Sequence, residues 1–324
     1  MNDRRTILKG MAAGALAGTG VAGIAQEDRS PITLLVGAAS SMDFTARLLA
    51  DYLREALGRP VIAVSKLGAG GRLALGELKH AAPDGRTLML STSSPFTIFP
   101  NIYTNLEYDP VRDFTPIAGV AWFDVGLAVA PALGIGSMKD MLAWAKRQGN
   151  DVIYGAAPGT GSASHFAGIA VEQATGLKLT PVPYKDSAKG IIDTIGGRIP
   201  LMITGTSPLA AMHQAGKLKM LATSGDERSP LVPDVPTMRE SGIDASIVIS
   251  ASLYGPANMP PALVAKLHDT LQPLFGDKTL VERLSKQGMA TKSMSGAELA
   301  ASLARERERY ARLAKASGYV PVPA

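Results

Sequence analysis

The chain has 324 residues, 46% hydrophobic and 19% charged, with no low-complexity tract. That length and balance describe a globular protein of two moderate-sized domains, each large enough to bury a core. The net charge of +5 falls to +3 once the three cations and one anion of Asp3, Arg4, Arg5 and Lys9 are set aside. No basic run then remains to track a nucleic-acid backbone, which argues against that partner. The chain has no cysteine, which excludes disulfides, thiolate metal sites, a cysteine nucleophile and a lipidated N-terminal cysteine.

In chain order, "DRRTILKG" comes first, followed by a mild Ala/Gly-rich stretch from Met11 to Ala25. A basic start, a weak apolar stretch and small residues at Gly23 and Ala25 predict a twin-arginine export signal over 1–25, cleaved after Ala25. The stretch is shorter than the roughly 20 residues a spanning helix needs, so cleavage is preferred to anchoring.

Leu34-Leu35-Val36 predicts a strand. Phe44, Leu48, Leu49, Tyr52, Leu53 and Leu57 recur at helical spacing until Gly58 and Pro60. Strands at Val61–Val64 and Thr87–Leu90 flank a second helix, a βαβαβ order that predicts a parallel sheet. A second set follows. It has a strand at Val152–Tyr154, a helix at His165–Thr175, strands at Thr180–Tyr184 and Ile199–Thr204 around a helix at Ala188–Ile195, and a last strand in "KLKMLATSG". The end reads as helices over Pro261–Phe275 and Lys278–Gln287, then a final one. There Leu299, Leu303, Tyr310 and Leu313 make an apolar stripe, and "RERER" (Arg305–Arg309) is assigned to a solvated face. Two α/β lobes place a cleft beyond the carboxyl ends of their strands, where the Gly/Ser/Thr loops 37–43, 68–71, 91–95, 155–164 and 204–208 lie.

Gly37–Asp43 can cradle an anion at a helix start, or simply cap that helix through Ser40, Ser41 and Asp43; taken alone, capping is the simpler reading. Gly68–Gly71 lacks the GxxxxGK[ST] and GxGxxG spacings and reads as a tight turn. "GTGSASH" (Gly159–His165) fails the dinucleotide and GxSxG patterns. It fits a helix-start cradle, with His165 as an ordinary structural histidine. The four histidines have no metal-ligand spacing and the acids do not cluster, so neither a metal nor a cofactor is expected. Trp122 and Trp144 read as core. "YKDSAKG" puts Tyr184, Lys185 and Asp186 at a strand end, where Lys185 is equally an anion attractor or a surface lysine.

Several ordered segments resemble one family: "APDGRTLML" (Ala82–Leu90), "YDPVRDFTPIAGVA" (Tyr108–Ala121), "GTGSASHFAG" (Gly159–Gly168), "VPYKDSAKGIIDTIGGRI" (Val182–Ile199) and "AGKLKMLATSGDERSPLVPDVPTMRESG" (Ala215–Gly242). It is the substrate-binding component of tripartite tricarboxylate transporters, also called Bug receptors. The resemblance runs from Ile32 to Gly318. It implies an α/β fold of the type II periplasmic-binding-protein kind, two Rossmann-like lobes joined by crossing segments near Ala118–Ala130 and Ile247–Pro256. Lobe 1 would be 30–124 plus 251–324, and lobe 2 would be 125–250.

The resemblance also implies a monomeric periplasmic receptor, not an enzyme, that captures a small organic carboxylate and delivers it to membrane permease subunits. Such receptors hold their ligand with loop amides, hydroxyls and waters more than with charged side chains. That places the site at Ala38, Ala39, Ser40, Ser41 and Asp43; at Ser91, Thr92, Ser93 and Ser94; at Gly161, Ser162 and His165; at Tyr184, Lys185 and Asp186; and at Thr204 and Ser207.

The sequence departs from the family pattern. Ala39-Ser40 stands for a Gly-Gly pair, Ser65-Lys66-Leu67 for Asn-Arg-Pro, Thr204 for an Asp and Ser250-Ala251 for an aromatic pair; the Gly159 loop is one residue longer upstream. Lost aromatics widen the cleft and the lost Asp removes a negative charge. The expectation is a ligand unlike small aliphatic dicarboxylates, bulkier and aromatic. Two alternative functions are a receptor presenting its closed form to a sensor kinase and, disfavoured by the absent nucleophile elbow, a hydrolase using Ser162 and His165.

Overall fold

The computed structural model describes residues 30–38 and 41–324. The export signal and the Ala39-Ser40 pair lie outside the described residues.

The first lobe begins with β1 (Ile32–Val36), α1 (Ser41–Leu57) and β2 (Val61–Ser65). It continues with α2 (Arg72–Lys79), β3 (Thr87–Thr92) and the short α3 (Ser94–Thr97) and α4 (Phe99–Ile102). The apolar spacing of α1 turns Leu48, Leu49 and Leu53 inward, and burying each contributes about 1.5–3 kcal/mol. Gly58 ends the segment at φ 62°, a left-handed conformation that costs glycine little.

Next comes β4 (Phe114–Val129), followed by α5 (Met138–Arg147), β5 (Asp151–Ala156), α6 (Ala163–Thr175), β6 (Lys178–Pro183) and α7 (Ser187–Ile195). Then β7 (Leu201–Gly205), α8 (Thr206–Gln214) and β8 (Lys219–Thr223) complete the second lobe. The chain returns through β9 (Val248–Pro256) to α9 (Pro261–Leu271), α10 (Lys278–Ser285), β10 (Ala290–Ser295) and α11 (Gly296–Ala316).

The strands order as β2-β1-β3-β9-β4-β7-β5-β6, with β10 and β8 also pairing β4. Within each lobe the strands that alternate with helices are parallel: β2-β1-β3 in one, β7-β5-β6 in the other. The connecting pair β4 and β9 is antiparallel, from Phe114↔Pro256 to Asp124↔Val248. β4 has 16 residues and, at about 3.3 Å each, runs roughly 50 Å. Its first part pairs β9 and β10, and its end pairs β7 and β8. One continuous strand thus serves both lobes.

Leu34, Leu49, Leu88, Leu253 and Leu284 share one core, and Val152, Tyr154, Phe166, Ile203 and Ile247 share another. α11 contributes to two cores. Leu299 and Leu303 pack with Leu35, Phe96 and Tyr254, while Tyr310, Leu313 and Ala314 join the core of Phe166 and Ile203.

Three local expectations change. The helix expected over Pro261–Phe275 ends at Leu271 and tightens into a 3₁₀ turn at Gln272–Gly276, because Pro273 has no N–H to continue the ladder. β10, "ATKSMS", carries no apolar run and was not anticipated. The "RERER" run is not a plain solvated face. Arg307 donates from Nη1 to the Phe96 carbonyl at 3.1 Å, and a Glu306 carboxylate oxygen is buried without a partner among the described residues. Burial pushes the Glu306 pKa up.

Candidate functional site

Parallel strands present their carboxyl ends, and the helices that follow them, to the cleft. On the first lobe this rim begins after β1. A Cβ on Gly37 would lie 2.6 Å from the Gly71 Cα, so the turn after β1 and the Gly68–Gly71 turn close on each other. That bears out the tight-turn reading of the second glycine group. Ala38 packs against the first-lobe core. The Ser41 carbonyl accepts from Thr45 Oγ1 at 2.7 Å. Asp43 accepts from Ser65 Oγ and, at 2.9 Å, from Arg47 Nε. The Ser65 bond first and Arg47 second hold its pKa below the usual carboxylate range.

At the end of β3, Ser91 Oγ donates to the Thr92 carbonyl at 3.1 Å. Ser93 exchanges two bonds with β9: its N–H donates to the Ser250 carbonyl at 2.9 Å, and its Oγ accepts from the Ser250 N–H at 3.2 Å. Thr92 and Ser94 are half-buried beside this corner.

On the second lobe, the turn between β5 and α6 satisfies itself. Ser162 Oγ donates to the Gly159 carbonyl at 2.7 Å and accepts from the His165 N–H at 3.3 Å, which caps α6. His165 Nδ1 accepts from the Gly161 N–H at 3.0 Å, and burial lowers its pKa, which favours the neutral ring. The Ser162 hydroxyl and the His165 ring therefore face different partners, not each other. A serine nucleophile needs the opposite arrangement.

Asp186 caps α7 by accepting from the Lys189 N–H at 3.1 Å. Tyr184 donates to Asp193 at 3.1 Å, and Lys185 is exposed. Thr204 Oγ1 and Ser187 Oγ pair at 2.6 Å. Ser207 is half-buried in the first turn of α8.

The rims meet at two points. A Cβ on Gly161 would lie 2.8 Å from Ile102 Cδ1, and one on Gly288 would lie 2.7 Å from Ser207 Cβ. The His165 and Tyr319 rings are 5.9 Å apart across the first contact. Among the described residues, no hydrogen bond joins a first-rim candidate to a second-rim one. The structure thus collects the candidates into four knots: Asp43 with Ser65, Ser93 with Ser250, Gly161 with Ser162 and His165, and Thr204 with Ser187.

One residue of this rim was not anticipated. Asp124 stands where β4 enters the second lobe, opposite the first turn of α8, since its neighbour Val125 pairs with Gly205. It is 8% exposed and accepts from the Gly225 N–H at 3.1 Å. The Thr206 and Thr223 hydroxyls lie beside the carboxylate, yet neither makes an aligned hydrogen bond. Burial pushes the Asp124 pKa up, against the lowering effect of Thr206, Gly225 and Thr223. The available signal was a single acid within the apolar run "AGVAWFDVGLAVA".

Two parallel α/β lobes on antiparallel crossing strands, with helix starts gathered at both rims, define a type II periplasmic-binding-protein fold. The chain belongs to the family described as "Tripartite tricarboxylate transporter family receptor", whose pattern matches residues 45–319. It is 32% identical to the "UPF0065 protein in gbd 5'region" of Cupriavidus necator over 308 residues, 93% of each chain. Among solved structures it resembles "R. palustris Rpa4515 with adipate", with a TM-score of 0.77 and 26% identity over 90% of this chain and 98% of that one. It also resembles MatC from Rhodopseudomonas palustris with bound malate, with a TM-score of 0.71 and 26% identity over 87% and 98%. Among the described residues, no helix is long and apolar enough to cross a membrane, and no group of three or more His, Asp or Glu could hold a metal.

Proposed function

We propose that this chain is a periplasmic receptor that closes two lobes around a small organic carboxylate and hands it to a membrane permease. The observation that carries this reading is the convergence of helix starts and hydroxyl-bearing turns at two facing rims, in a family whose solved relatives hold adipate and malate. The lobes are 30–124 with 251–324 and 125–250, and α11 bridges them. Export follows the twin-arginine route with cleavage after Ala25, and the mature receptor works as a monomer. Recognition rests on amides and hydroxyls of Ser41, Ser91–Ser94, Thr204 and Ser207, with the self-bonded Gly161–Ser162 turn shaping the second rim. Lys185 is the one cation among the candidates, and catalysis has no part in the cycle.

A ligand that touches both rims stabilises the closed form in proportion to its differential affinity. At a hundredfold excess over Kd the gain is about 2.7 kcal/mol. A thermal-shift panel of carboxylates on the mature chain tests this. A saturable rise in Tm with at least one acid supports the reading, and a flat response across the panel rejects it.

A further inference from the structure

The second lobe has three helix starts on its rim, and they differ in how they are filled. α6 is capped by Ser162 and α7 by Asp186. α8 begins after Gly205 with no side-chain cap, and Asp124 from the adjacent strand stands opposite its first turn. The approach is close by construction. A Cβ on Gly225 would meet Asp124 Oδ2 at 3.0 Å and the Glu227 carbonyl at 2.8 Å, so only glycine fits beside the acid.

The carboxylate has one aligned donor, the Gly225 N–H, for about four lone-pair sites. No ion pair holds it among the described residues. Thr206 Oγ1 and Thr223 Oγ1, both fully buried beside it, are themselves without an aligned partner. With one aligned backbone donor and two adjacent hydroxyls, the carboxylate keeps acceptor capacity among its lone pairs. It lies beside the side chain of Thr206, the first residue of α8.

We propose that Asp124, once ionised, is a specificity-determining residue that places negative charge on the second rim, so that in this state the receptor takes a carboxylate whose far end is uncharged, a hydrogen-bond donor or a cation, and rejects a second carboxylate. This deepens the receptor reading and rests on it. Thr204 stands where the family resemblance implies an acid; Asp124, two residues before Gly126, the ladder partner of Thr204, puts one on the same face of the sheet. The ligand's single carboxylate then belongs to the amides and hydroxyls elsewhere on the rims, and its other end faces Asp124.

The test compares ligands of one skeleton that differ only at the far end. Butyrate, γ-aminobutyrate and succinate form one triplet; hexanoate, ω-aminohexanoate and adipate form another. Affinities for the mature wild type and for Asp124→Asn are measured by titration calorimetry, with circular dichroism as the folding control. Within the triplet that binds, wild type should prefer the amino acid or the monoacid to the diacid by tenfold or more. Asp124→Asn, which keeps shape and loses charge, should narrow that ratio at least tenfold. A wild type that binds the diacid as tightly as the monoacid overturns the proposal even if the variant misfolds. So does a folded variant with an unchanged ratio; both outcomes leave the receptor reading standing. No binding by any of the six acids to the wild type overturns the proposal, and together with a flat thermal panel it overturns the receptor reading as well.

Discussion

The starts of α6 and α8 lie on the same rim and could hardly differ more. The α6 start is rich in functional-looking residues, yet Ser162, His165 and the Gly161 and Gly159 backbone satisfy one another. The α8 start is plain "GTSP", yet it gathers a buried acid and two unaligned hydroxyls. A self-contained knot gives shape, whereas leftover bonding capacity gives recognition. The richer motif is therefore read as scaffold and the poorer one as the discriminating element.

That contrast can be broken at several points. The largest effect is expected from Gly161→Ala. Its φ of 75° disfavours a side chain, and the new methyl would press on Ile102 at 2.8 Å. A loss of about 2–4 kcal/mol in urea unfolding is expected; an unchanged midpoint would mean the knot is not rigid. His165→Leu comes next, because it leaves the buried Gly161 N–H without an acceptor, costing about 1–3 kcal/mol. Ser162→Ala removes the α6 cap and should cost about 1 kcal/mol while leaving the monoacid-to-diacid ratio as in wild type. A changed ratio would move Ser162 from scaffold to recognition.

The last effect is read from its sign. The folded state raises the Asp124 pKa above the unfolded value, through burial. The folded protein then binds the proton more tightly than the unfolded one, so wild type loses stability as pH rises through that window. Asp124→Asn has no proton to lose. Its stability relative to wild type should climb from near pH 4 upward and level off above the folded pKa. Stability curves that run parallel across that range would show the carboxylate to be fully solvated by its neighbours.

Much of the fold was legible because its signals are local and repeated. Leu48, Leu49 and Leu53 fall at helical spacing, and Val61–Val64 is an apolar run, three of its four residues β-branched, between punctuating residues. β10 was hidden because an edge strand needs no apolar run, and Glu306 because helical periodicity cannot say which charged residue tertiary packing will bury. At the site, Gly68–Gly71 was legible as a turn. Asp124 was not: one acid in an apolar strand looks like any exposed alternation until pairing puts Val125 opposite Gly205. The knots around Ser93 and Thr204 needed partners 157 and 17 residues away, distances at which spacing carries no information.

α11 has a thermodynamic consequence. Because Leu299 and Leu303 sit in one core and Tyr310 and Leu313 in another, neither lobe can melt without unseating half of a helix the other needs. The intact receptor should therefore lose its structure in a single calorimetric step despite its two-lobed build. Truncating the chain before Tyr310 would uncouple the two, and the temperature gap that opened between their transitions would measure the cooperativity this one helix supplies.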